Sequence, residues 1–546
     1  MKITTVKKSI ASLGAAVLVA SLSVVIAPTA SAAAPVCTTT KGVETCNGTL
    51  SNGAAYRFMM PANFSGTMFF WEHGFKSTYP IDRLGVTVPK GIEEMTPASA
   101  NTKRDVTVEM LRTGHALAAY DGVANGQRGW NNVARIEMLK EVFDEAAAKY
   151  GSKIQKKVLY GSSQAGSIIT PFVEKYPKYA DAVGLMAATT PAVSESLQSA
   201  CDLFYILSVF ADPNIKGCAA FGVKGLDGHR LASAELLKVV SLLQTWQVTY
   251  GAPGLEYPAS IKPLGIPQRS ALLLSGLLVG IPTKSAHMDG ISTSPEISRG
   301  VSGLIAEGSI NATVGILENM LEAAATGVLT GQSVSEITGA GFYDNTKTDF
   351  AALLDEVDAA RFNLGLGGDD GINAMLNELA KAPRITGNAD AIAKFKALDK
   401  STFTSKVPTI TLSNEADRLV FPGNSVRYLD RKRAVYEAEL AKWEANPVGP
   451  APHWNTVALY AMTPELYTKF TATTAPDLTG PVAISGVGHQ SFTTKQTMAW
   501  VRLLAISAET GKIPSERSLQ LIIKRAPYLN DDLEYRPAEL KYDFSK

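Results

Sequence analysis

The sequence predicts an α/β fold: a doubly wound, mostly parallel sheet with a large helical cap inserted between core strands. Three observations predict it. Between residues 67 and 188 apolar runs of strand length alternate with helical periodicity over short connections, which demands right-handed crossovers and a parallel sheet. From about Pro191 to Lys400 the alternation stops and helical periodicity dominates. At residues 406–413 a buried strand pattern returns, so the sheet resumes after the insertion.

Taken in order, the chain opens with Lys2, Lys7 and Lys8 before an apolar segment and an Ala30-Ser31-Ala32 cleavage pattern, the layout of a secretory signal peptide over residues 1–32. The first part of the core spans 33–190. Strand patterns at 49–57 and 67–71 flank a turn at 61–66, and a helix at 106–112 and a strand at 114–121 follow. Asn131 or Asn132 caps a helix running to Tyr150, and Gly151 ends it. A strand at 157–160, a helix to about Tyr176 and a strand at 181–188 complete this part. The insertion, 191–400, carries its clearer helices at 233–250, 268–279, 312–325, 349–362, 371–381 and 389–398. A long insertion between sheet strands is read as a cap over the strand ends, where such sheets bind ligands. In the second part of the core, 401–512, a helix at 425–444, a last strand at 481–485 and a helix at 495–508 follow the strand at 406–413. A charged tail, 513–546, ends the chain.

Composition narrows the function classes. The 52 Lys and Arg against 51 Asp and Glu leave a net charge of +1, which argues against a nucleic-acid partner and for neutral substrates. After the leader no apolar run is long enough to span a bilayer, so an exported protein without stable membrane insertion is expected. The four cysteines suit an oxidising compartment, and two local disulfides, Cys37–Cys46 and Cys201–Cys218, are the simplest of three possible pairings.

The chemistry gathers around Gly161-Ser162-Ser163-Gln164-Ala165-Gly166, where a strand turns abruptly into a helix. Small residues two before and two after a serine, here Gly161 and Ala165, are what such a turn needs, because its flanking chains nearly touch. The turn projects the Ser163 hydroxyl, and the backbone N–H of Gln164 at the helix start faces an anionic oxygen. Upstream, His73-Gly74-Phe75 ends a strand. There Gly74 permits a sharp turn, the Phe75 N–H supplies a second oxyanion donor, and His73 braces the loop. Two later strand ends carry Asp417 and His489. An imidazole suits the task of taking and returning the serine proton, and a carboxylate fixes its tautomer. Glu415 is the alternative acid. No zinc-protease helix, phosphate-cradling loop or dinucleotide fingerprint occurs, so neither a metal nor a cofactor is expected.

The order Ser163, Asp417, His489, the elbow at 161–166 and the turn at 73–75 resemble the α/β-hydrolases over about 49–190 and 407–508; residues 114–121 and the Gln-containing elbow are similar to secreted bacterial esterases and lipases with large helical caps, and the insertion itself matches no particular subfamily. Ala165 departs from the glycine commonest at that position. The resemblance implies a serine hydrolase that cleaves small to medium hydrophobic esters through an acyl-enzyme. Three alternatives stand beside it: a serine aminopeptidase or amidase, a lipase or polyester hydrolase with a mobile lid, and a non-catalytic binding module. Leu272, Leu273, Leu277 and Leu278 are candidates to line an apolar cavity under the cap, although an all-apolar helix of this kind is more often plain core.

Overall fold

The computed structural model describes residues 34–80, 87–88, 91–98, 105–123, 126–191, 193–249, 257–293, 309–399, 401–472 and 475–544; the leader read at 1–32 lies outside them. The first part of the chain supplies β1 (Val36–Thr40), β2 (Val43–Thr49), β3 (Ala55–Pro61), β4 (Thr67–Glu72), α1 (Val106–Arg112), β5 (Ala116–Tyr120), α2 (Asn132–Tyr150), β6 (Lys156–Ser162), α3 (Gly166–Lys175) and β7 (Ala182–Met186). The segment that follows is helical: α4 (Val193–Phe210), α5 (Gly225–Thr249), α6 (Gln268–Val279), α7 (Ser309–Thr338), α8 (Phe350–Leu353), α9 (Glu356–Arg361), α10 (Gly368–Lys381) and α11 (Ala389–Lys396). The sheet then resumes with β8 (Thr409–Asn414), α12 (Gly423–Ala445), β9 (Thr456–Ala461), α13 (Thr494–Thr510) and α14 (Glu516–Ile523).

Nine strands form one sheet in the order β1-β2-β3-β5-β4-β6-β7-β8-β9. The first three pair antiparallel and β3 runs antiparallel to β5, whereas every pairing from β5 to β9 is parallel. Strands β4, β5, β7 and β8 are buried along their whole length, because helices cover both faces. On one face Phe70 of β4 stacks on Phe143 of α2 at 3.7 Å between ring centroids. On the other, the Trp500 indole of α13 lies over Gly184 of β7 and donates to the Ile410 carbonyl at 3.0 Å.

Several boundaries differ from the sequence reading. The strand expected at 49–57 is two antiparallel strands with the turn at 50–54 between them. Strand β2 is polar and lies near the sheet edge, so it carries no apolar alternation to read. The run 481–485 is not a strand. Val482 and Ile484 are exposed there, and the strand after β8 is β9, whose outer edge is taken by the C-terminal segment through Met462 N–H to Tyr528 O (2.7 Å) and Asn530 N–H to Tyr460 O (2.9 Å). The single helix expected at 349–362 is two short ones. Asp355 breaks it by accepting from the Val357 and Asp358 N–H groups and starting a new N-terminus.

The insertion has its own core, made chiefly by α4, α5, α6 and α7, and the disulfide Cys201–Cys218 pins α4 to the turn before α5. Cys37–Cys46 ties β1 to β2 at directly opposed positions. Beyond α14 the tail is ordered and returns across the molecule to the insertion. Phe544 N–H donates to Glu195 of α4 (2.9 Å), Tyr542 O–H to Asp202 of α4, and Lys541 to the Leu353 carbonyl (2.8 Å), while Arg427 of α12 holds the Tyr542 carbonyl at 2.8 Å. Among the described residues no helix is long and apolar enough to cross a membrane.

Candidate active site

Strand β6 ends at Ser162, a single tight turn spans Ser163–Ala165, and α3 begins at Gly166. Ser163 sits at φ +57°, the left-handed region that a residue with a Cβ adopts only when its surroundings impose it. Those surroundings are tight. A Cβ on Gly161 would lie 2.4 Å from Glu72 O and 2.6 Å from the Ala165 Cβ, and one on Gly166 2.7 Å from Thr189 O. The carbonyl of Ser163 is held by the Thr189 N–H at 2.9 Å.

The turn after β4 approaches from the other side. Gly74 passes so close that an added Cβ would be 2.9 Å from the Ser163 Cβ. Phe75 and Gln164 line the same cavity as Ser163, and among the described residues no protein group accepts a hydrogen bond from either backbone N–H.

Arg135 of α2, which the sequence reading passed over as one residue of an amphipathic helix, ties the two segments together. Its guanidinium is buried. It pairs with Glu72, donates to the His73 carbonyl (2.6 Å) and donates to Gln164 Oε1 (2.9 Å). Glu72 also accepts from Tyr120 O–H at 2.6 Å. Burial pushes the Glu72 carboxyl up, while Arg135 and Tyr120 pull it back. Burial, reinforced by Arg135, holds His73 well below the usual imidazole range, so it is a neutral brace with Nδ1 2.6 Å from Gly74 O. A sequence signal for Arg135 existed only as a cationic residue among the apolar positions Val133, Ile136 and Leu139 of the helix.

Asp417 and His489 come from loops. Asp417 follows β8, is fully buried, and accepts from the Leu419 and Val420 N–H groups at 2.9 Å each. His489 lies well beyond β9, in a segment that touches the Asp417 loop through the bridge Ala416–Val487 and through Asn414 Nδ2 to Gly488 O (2.7 Å). His489 Nδ1 is 2.9 Å from Asp417 Oδ2 and 3.3 Å from Oδ1. The carboxylate therefore holds the ring proton on Nδ1 and leaves a lone pair on Nε2. That nitrogen accepts from the Gln490 side-chain amide at 3.0 Å, and no hydrogen bond joins His489 to Ser163. Glu415 turns away: it accepts from the Thr463 N–H (3.0 Å) and hydroxyl (2.9 Å) and pairs with Lys284 of the insertion.

Ser163 and His489 face one cavity of about 240 Å³. The sheet side contributes Phe75, Trp130 and Val420; the insertion contributes Val193, Leu197 and Leu329. Leu272, Leu273, Leu277 and Leu278 do not reach it. They pack in the insertion's own core, because α6 is enclosed by other helices of the insertion. Lys76 and Glu94 stand at the cavity 3.5 Å apart.

The sheet order, the crossover helices and the helical insertion after β7 are those of the α/β-hydrolase fold. No protein-family model and no curated protein sequence matches the chain. Among solved structures it is similar to an esterase from Aspergillus oryzae (14% identity over 77% of this chain and 72% of that one, TM-score 0.31). It is also similar to feruloyl esterase B from Aspergillus oryzae (13% identity, 86% and 81%, TM-score 0.32) and to tannin acyl hydrolase from Aspergillus niger (10% identity, 89% and 83%, TM-score 0.31). Likenesses this distant say nothing of what this chain acts on.

Proposed function

We propose that the protein is a secreted serine hydrolase of carboxylic esters. The observation that carries the reading is the strained Ser163 facing one cavity with a His489 whose Nδ1 is held by the buried Asp417. In this mechanism Ser163 Oγ attacks the ester carbonyl while its proton passes to His489 Nε2. The oxyanion is met by the Phe75 and Gln164 N–H groups. Collapse breaks the bond to the alcohol oxygen, which leaves with the proton from His489. Water, deprotonated by the same nitrogen, then attacks the acyl-enzyme and restores Ser163. Asp417 keeps the imidazole oriented and stabilises its cationic form.

The apolar walls and modest volume favour small to medium hydrophobic esters. An aminopeptidase needs a carboxylate free to hold a substrate amine, and among the described residues the carboxylate lining the cavity, Glu94, has Lys76 beside it. A freely swinging lid is disfavoured by the ties that Glu195, Asp202 and Lys284 of the insertion make to the tail and to the Asp417 loop. The two disulfides suit an exported protein. The test is labelling by a fluorophosphonate beside a panel of p-nitrophenyl esters and aminoacyl p-nitroanilides. Labelling and ester cleavage that vanish in Ser163→Ala are expected; preferential anilide cleavage, or label that survives the substitution, overturns the reading.

A further inference from the structure

His489 Nε2, the nitrogen that has to receive the serine proton, is occupied by a neighbour in the chain rather than by the serine. The Gln490 amide donates to it at 3.0 Å. Gln490 is placed there by its backbone, which takes φ +58°, outside the range ordinary residues prefer; its carbonyl accepts from the Phe492 N–H at 3.0 Å, closing the turn. The same amide nitrogen lies 3.5 Å from the point where a Gly74 Cβ would stand, and that point is 2.9 Å from the Ser163 Cβ. The amide thus fills the corner between the base, the nucleophile and the oxyanion turn, inside the cavity that both reacting groups face.

One lone pair accepts one good hydrogen bond, so the Gln490 amide and the Ser163 hydroxyl compete for His489 Nε2. We propose that Gln490 is a positioning residue that latches the base in the resting enzyme and yields Nε2 to Ser163 when an ester enters the cavity. The latch keeps His489 aligned on Asp417 in the empty site, and its release makes activation of Ser163 depend on substrate. Both ends are polar. The freed amide turns to the cavity, where it meets water or an ester oxygen and is not left unpaired. This inference rests on the serine-hydrolase reading above.

The experiment compares wild type, Gln490→Ala and Gln490→Leu, the leucine keeping the side-chain bulk. A small fluorophosphonate, which needs an activated Ser163 but fills little of the cavity, is expected to label both variants about fivefold faster than wild type, the factor matching one hydrogen bond of ~1 kcal/mol no longer broken on the way to reaction. The resting state is read independently by ¹⁵N NMR of the His489 imidazole in a Ser163→Ala background, where no serine hydroxyl can take the amide's place: adding Gln490→Ala or Gln490→Leu is expected to move Nε2 downfield, towards a nitrogen that accepts no bond. Unchanged or slower labelling in both variants overturns the latch, as does an unmoved Nε2 resonance. Wild-type protein that takes no label removes the hydrolase reading itself and the latch with it, while the NMR comparison still separates that failure from an amide that never held the base.

Discussion

The two halves of the candidate site are built in opposite ways. On the nucleophile side, the elbow at Ser163 and the turn at Gly74 are backbone features at the ends of adjacent parallel strands, β6 and β4, and a single buried guanidinium, Arg135, bolts them together. On the proposed base side, Asp417 and His489 stand on loops joined by one bridge and a few hydrogen bonds, and His489 Nε2 ends on the side-chain amide of Gln490. Rigid preorganisation suits groups that stabilise charge where it forms, whereas a proton carrier has to change partners during turnover. The contrast also divides consequences. Damage to the nucleophile side is expected to cost much stability together with activity, and damage to the base side chiefly activity.

The largest expected effect tests the base side. Asp417→Asn should lower kcat by about 10⁴-fold, because the ring loses its orienting acceptor and adopts the wrong tautomer, while the thermal midpoint stays close to wild type. Glu415→Gln, the neighbouring acid engaged with Thr463 and Lys284, should stay within about threefold of wild-type kcat/KM. Equal losses in the two variants would erase the distinction between these acids. On the nucleophile side, Arg135→Met should lower kcat by about 10²-fold, since both oxyanion segments lose their common anchor. The same change should cost about 3–5 kcal/mol in urea denaturation, because Glu72 is left buried without its partner. Full stability in that variant would break the comparison.

A smaller effect tests the link between the two loops of the base side. Asn414→Ala frees the Gly488 carbonyl and should reduce kcat about tenfold with at most ~1.5 kcal/mol lost from stability, the value of one hydrogen bond. The smallest is a pH effect where the tail meets the insertion. Burial pushes the Asp202 carboxyl up to about 7, with Tyr343, Tyr542, Gln198 and Arg384 around it. A carboxyl raised in the folded state favours folding at low pH, and that contribution is lost as pH rises from about 4 to about 7. The thermal midpoint of wild type relative to Asp202→Asn should therefore fall across that window, and a constant difference would show that Asp202 does not titrate there.

Legibility in the sequence followed the same division. Gly161, Ser163 and Ala165 are neighbours along the chain, so the sterics of a strand-to-helix turn betray them, and the buried parallel strands appear as apolar runs for the same local reason. Asp417 and His489 were reached through strand ends, although the strand assigned at 481–485 before His489 is a loop and no strand was assigned where β9 stands. Arg135 carried no mark that separates a buried cation from a solvated helix face. Gln490 could not be read at all, because its contact with the ring of the adjacent His489 depends on a positive φ that the sequence does not mark.

By itself the sequence determined the class of fold and the helical insertion and singled out the elbow, Asp417 and His489 as candidates, since each leaves a pattern within a few residues of itself. Only the tertiary structure decided which walls of the insertion face Ser163, that the tail returns to the insertion, that Arg135 joins the turn at Gly74 to the elbow and that the Gln490 amide rests on His489 Nε2. All but the last depend on contacts between residues far apart in the chain, where periodicity and local sterics carry no information, and the last depends on a positive φ at Gln490 that no residue pattern marks.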